Sequence, residues 1–110
     1  MMAQHNAGDL TKRIGFYKPN IYRDPDGKLI HDYILQFTLW ANVHPLRGGE
    51  QVMQARIQSK NPVIIKVRAS AASRRIDSIW QAKIDGRDYD IKEDPRESQD
   101  RKWLEFMAEG

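Results

Sequence analysis

Cysteine is absent from this 110-residue chain. That one absence removes disulfide bridges, thiolate nucleophiles and zinc sites of the cysteine type. Long apolar runs are missing too. None approaches the ~20 residues that a membrane-spanning helix needs, so no membrane partner is expected. Met1 to Ala7 hold no basic stretch followed by an apolar one, the pattern of a secretory leader. The expectation is a protein made in a cytoplasm.

One-sided charge is also lacking. Lys and Arg number 18 against 15 Asp and Glu, a formal charge of +3 with a pI of about 9.3. Many cations sit beside acids, as in Arg23-Asp24, Arg87-Asp88 and Arg96-Glu97. Local concentrations are confined to Lys12-Arg13, Arg74-Arg75 and Arg101-Lys102. A duplex-DNA binder gathers its cations on one face, whereas mixed charge of this kind describes a solvated surface.

Catalytic patterns are missing as well. His5, His31 and His44 have no metal-ligand spacing among themselves or with nearby carboxylates. Gly48-Gly49 lacks the lysine and the spacing of a phosphate loop. Ser59, Ser70, Ser73, Ser78 and Ser98 have no histidine at a recognisable interval. Asp88 and Asp90 alternate with Tyr89 and Ile91, which assigns them to the solvent face of a strand. No catalytic, cofactor or metal residue is assigned, and an enzyme is not expected.

What the chain does hold is strand signal. Leu35, Phe37 and Leu39 alternate with Gln36 and Thr38 inside a long strand expected from Tyr33 to His44. Pro45 closes it, since it has no N–H to give to a central ladder. Arg13 to Lys18 reads as a short strand with Ile14 and Phe16 on one face. Asp24-Pro25-Asp26-Gly27 reads as a turn. Val63 to Val67 reads as an interior strand, and Ile76 to Ile84 as another, carrying Trp80. Asp85-Gly86 is a hairpin signal that returns the chain through Arg87 to Lys92. Asp94-Pro95 turns it again, and a last strand runs from Arg101 to Ala108 with Leu104, Phe106 and Ala108 inward. The sum is one domain over residues 1–110: a mainly β fold, a small barrel or sandwich of about six strands. Residues 1–8 are expected to be a flexible arm.

Arg47 to Asn61 stands apart. A polar excursion of that length in a small domain is usually functional or disordered. Met53, Ala55 and Ile57 alternate with Gln54, Arg56 and Gln58 as in a strand. Val52, Met53, Arg56 and Ile57 equally line one side of a short helix, and periodicity does not separate the two. At the other end, Trp103 lies opposite Leu104 and Phe106, together with Glu105 and Met107. Burial at a barrel closure and an exposed protein contact are equally open to Trp103 and Met107.

Taken in order, the pieces resemble a phage head–tail joining protein of the head-closure or stopper family of long-tailed bacteriophages. The resemblance rests on Ala7-Gly8-Asp9-Leu10-Thr11-Lys12-Arg13-Ile14, Asp26-Gly27, and the run from Leu39 to Glu50. It continues through the Ile84–Ile91 hairpin, Asp94-Pro95 and the final strand to Glu109. The charged Lys92-Glu93-Asp94 departs from an apolar preference in the family. The resemblance implies a small β-barrel without cofactor, assembled as a homo-oligomeric ring under the portal and its adaptor. Such a ring closes the DNA-filled head, docks the tail through a tail terminator or tail-completion protein, and lies close to the packaged DNA. It also implies a place in the virion neck, assembled in the bacterial host cytoplasm. By the same resemblance the 47–61 loop, with Arg47, Gly48, Gly49, Glu50, Met53, Ala55, Arg56 and Ile57, projects toward the channel. A small nucleic-acid-binding barrel is the competing expectation, motivated by the pI and by Lys12-Arg13 and Arg74-Arg75.

Overall fold

In a computed structural model, described over residues 10–46 and 61–110, the chain forms seven antiparallel strands. These are β1 (Lys12–Arg23), β2 (Leu29–Pro45), β3 (Pro62–Arg68), β4 (Gln81–Ile84), β5 (Arg87–Ile91), β6 (Arg96–Glu97) and β7 (Trp103–Glu109). They run β3-β2-β1-β4-β5-β7-β6 in one sheet, and a further pairing of β3 with β7 closes it into a barrel. Closure gives β3 two paired edges, and its Pro62–Val67 stretch is buried throughout. β7 pairs with β3 along one edge and shares its other edge between β5 and β6.

The core follows from alternation. Ile14 and Phe16 of β1, Ile65 and Val67 of β3, Ala82 and Ile84 of β4, and Leu104, Phe106 and Ala108 of β7 all point inward and are buried. Phe37 of β2 and Trp80, just before β4, join them, with ring centroids 5.7 Å apart. The side chains expected to be buried on the first and last strands are buried, and Trp103 on the last strand is buried with them.

Several boundaries differ from expectation, each for a physical reason. β1 extends to Arg23 and β2 begins at Leu29, so the Asp24–Lys28 turn joins two long strands. Gly27, at φ +82°, donates its N–H to the Asp24 carbonyl at 2.9 Å. Asp24 also accepts the Lys28 N–H through its side chain at 2.8 Å. Cross-strand pairing, which local apolar pattern does not report, carries both strands through polar residues. The stretch before β4 is not a strand: a 3-10 turn at Ser73–Arg75 leads to Trp80, and β4 starts at Gln81. The predicted turn at Asp85-Gly86 is present, with both residues at positive φ.

One irregularity matters most. Phe16 pairs with Phe37 but Tyr17 pairs with Leu35, so Gln36 is an extra residue in β2. A bulge of this kind reverses the side-chain parity of everything beyond it. Phe37 and Leu39 pack on the core, whereas Leu35 is 50% exposed. The single apolar face expected for Leu35, Phe37 and Leu39 is therefore split at Gln36.

Candidate assembly surface

β4 pairs with β1 only from Gly15 to Tyr17, and β3 pairs with β2 only from Ala41 to Pro45. Beyond these limits β1 and β2 leave the barrel as a two-stranded ribbon, Lys18–Arg23 against Leu29–Ile34. The molecule is accordingly elongated, 58 × 36 × 23 Å.

Exposed large apolar side chains concentrate on that ribbon and at its root: Ile21, Tyr22, Leu29, Tyr33 and Ile34, with Leu35 where it joins the barrel. Ile21 is the most open of them at 59%. The other two such residues among those described are Trp40, on the outer face of β2, and Ile79, before β4. Alternation sorts the ribbon into two faces. Tyr17, Pro19 and Ile21 share one with Leu35, Tyr33, His31 and Leu29, and Lys18, Asn20 and Tyr22 share the other with Ile34, Asp32 and Ile30. Clustered apolar exposure rimmed by charge marks a contact surface in a soluble protein.

The surroundings are polar and held by short-range pairs. Lys12 and Asp85 form an ion pair at 2.9 Å, and Arg74 pairs with Glu97. Lys66 is buried, with its ammonium 3.9 Å from Glu105 of the neighbouring strand. Cations also lie over rings: Arg13 over Trp40 at 5.5 Å, Arg68 over Trp103 at 5.7 Å, and Lys83 over Tyr17 at 5.8 Å. A shallow depression of about 340 Å³ on the outer face lies between Arg13, Gly15, Tyr17, Leu35, Thr38 and Lys83. It is open and mixed in character, and Asp85, which also lines it, is the one carboxylate there among the described residues.

Among the described residues no three His, Asp or Glu side chains gather as a metal site. No helix among them is long and apolar enough to cross a membrane. His44 sits at the end of β2 with Nδ1 3.1 Å from Asn42 Oδ1. Arg47, Gly48, Gly49, Glu50, Met53, Ala55, Arg56 and Ile57 lie outside the described residues. Trp103 is 6% exposed, beneath Arg68, and Met107 is half-buried on the same strand. The ribbon residues were not singled out by sequence. The available signal was the apolar density of Ile21-Tyr22 and Leu29-Ile30 on either side of a turn, a hairpin pattern with no core to face.

Compared with known proteins, the sequence matches the family described as phage head completion protein over residues 5–110. No curated protein matches it. The solution structure of protein SF1141 from Shigella flexneri 2a superposes with a TM-score of 0.68 at 23% identity, covering 94% of this chain and 95% of that one. A chain from the virion of a native gene transfer agent particle superposes with a TM-score of 0.64 at 22% identity, covering 91% and 93%. At such identities the likeness is one of fold.

Proposed function

Because this chain belongs to the phage head completion protein family, a structural component of the phage head and neck, we propose that it builds the ring that closes the head. Copies of the chain stand beneath the portal and its adaptor, seal the DNA-filled head and offer the surface on which the tail docks. Assembly takes place in the cytoplasm of the bacterial host, around heads that already hold DNA.

The observation that carries this reading is the pairing of a closed barrel with an exposed apolar ribbon. A barrel has few free edges and resists uncontrolled association, while the ribbon supplies one directional contact surface. A contact between two different patches of the same chain generates a closed ring when the rotation closes. Mixed surface charge suits a channel through which DNA must later slide, because tight phosphate binding would hold it back.

The test is inactivation of the gene in its phage, followed by electron microscopy of the lysate and measurement of nuclease sensitivity of packaged DNA. Free tails beside heads that fill and then leak are expected. Joined, infectious particles would remove the neck assignment.

A further inference from the structure

The ribbon has two outer edges, and they are not equivalent. The Asp24 N–H donates to the Lys28 carbonyl at 2.9 Å. In an antiparallel pair hydrogen-bonded and non-hydrogen-bonded pairs alternate, so that bond fixes the sequence of pairs along the ribbon. Arg23–Leu29, Ile21–His31, Pro19–Tyr33 and Tyr17–Leu35 are the non-hydrogen-bonded ones. Their backbone N–H and C=O groups therefore point away from the partner strand, toward the two outer edges.

On the β1 edge the outward groups belong to Pro19, Ile21 and Arg23, and Pro19 has no N–H to offer. Lys18 and Arg23 flank it. Proline and cations are the devices that keep an edge from pairing. On the β2 edge the outward groups belong to Leu29, His31, Tyr33 and Leu35, with no proline or lysine among residues 29–35. Among the described residues no strand pairs with β2 on this side from Leu29 to Trp40. The Tyr33 N–H is occupied only by the adjacent carboxylate, Asp32 Oδ1 at 2.9 Å.

We propose that the β2 edge from Leu29 to Leu35 accepts an extended strand from a different protein of the neck, an inference that rests on the ring assignment above. Strand addition meets the unpaired backbone and leaves side-chain pockets to set specificity. The ribbon of a second copy fits poorly here. Ribbon stacking would bring this edge against the proline-guarded β1 edge, and β2 against β2 about a twofold axis stops at two copies and builds no ring. The incoming strand carries apolar side chains on the face of Leu29, Tyr33 and Leu35. Its carbonyl takes the Tyr33 N–H from Asp32, and the released carboxylate receives a cation or hydroxyl on the face of Ile30 and Ile34.

Matched proline variants test this in a gene-null phage supplied with the full-length chain. His31→Pro removes an outward N–H from the β2 edge; Arg23→Pro removes one from the β1 edge, at a position outside the exposed apolar cluster. With both variants folded by circular dichroism, His31→Pro is expected to lower the yield of infectious particles about tenfold or more, and Arg23→Pro to leave it near wild type. Equal yields, or equal losses, overturn the edge assignment. Should His31→Pro not fold, a benzophenone on Leu29→Cys, the only thiol in the chain, replaces it in null lysates complemented with labelled protein. A cross-link in purified particles to another virion protein is expected, and a product of twice the chain mass overturns the choice of partner. The unsupplied null phage keeps the two claims apart: if it yields joined particles the neck assignment itself fails, whatever the variants do.

Discussion

The Tyr17 ring lies over Gly15 on the outer face of β1, so that a Cβ at Gly15 would stand 3.2 Å from Tyr17 Cε1 and 3.3 Å from Leu35 Cδ1. Both neighbours are the far ends of flexible side chains, and Leu35 is half exposed. Glycine inside a strand costs roughly 0.5–1 kcal/mol relative to alanine. Gly15→Ala is therefore expected to stabilise the fold by about 0.5 kcal/mol once the two side chains give way. A urea midpoint below wild type would mean that Tyr17 and Leu35 are held in place.

Phe16 and Phe106 meet edge to face across the barrel, centroids 6.1 Å apart, and neither is accessible. Truncating such a ring leaves a cavity the barrel cannot collapse around, at a cost of about 3–5 kcal/mol. Phe106→Ala should show that loss in equilibrium unfolding. Ile21→Ala, on the open ribbon, should change stability by no more than about 0.5 kcal/mol.

Ser73 is fully buried at the 3-10 turn. Its hydroxyl donates to the Arg68 carbonyl at 2.8 Å and accepts the Ser70 N–H at 2.8 Å. Ser73→Ala strands both backbone groups, and a loss of about 1–3 kcal/mol is expected from denaturant titration. A loss within error would mean that water replaces the hydroxyl.

Asp100 gives a pH signature. The Ser98 hydroxyl, at 2.6 Å, and then the Lys102 N–H, at 3.1 Å, hold its carboxyl below the usual aspartate value. A depressed folded-state value means that this stabilisation is full above the unfolded value of about 3.9 and is lost as the pH falls through the lower one. Asp100→Asn should therefore be less stable than wild type at neutral pH, with the gap closing in acid. A gap that does not depend on pH would assign the effect to the turn geometry alone.

What the sequence revealed was the part governed by short-range alternation. Ile14 with Phe16, and Leu104 with Phe106 and Ala108, announce their burial because each strand keeps strict parity. The Asp85-Gly86 turn is legible because its residues tolerate positive φ. Leu35 misleads for the opposite reason: the extra residue at Gln36 reverses parity, and nothing in Leu-Gln-Phe-Thr-Leu reveals where β1 slips against β2. The ribbon is illegible for a related cause. Its strands are sustained by each other and not by a core, so the apolar period that flags a buried strand is absent. Arg101, at φ +60°, turns the chain where neither glycine nor asparagine advertises it. The contact surface thus had to be read from pairing, which is long-range information.

β2 is a single strand of 17 residues, bulged once at Gln36, about 55 Å at 3.3 Å per residue. One end is the ribbon; the other is Pro45, beside Val63, where Leu46 donates to the Pro62 carbonyl at 3.1 Å. A load applied to the ribbon therefore reaches the far end of the barrel along a single run of covalent backbone, with no loop to absorb it. The one break in regular pairing on that path is Gln36, at the mouth of the barrel, so a pull on the ribbon meets its first change of register there.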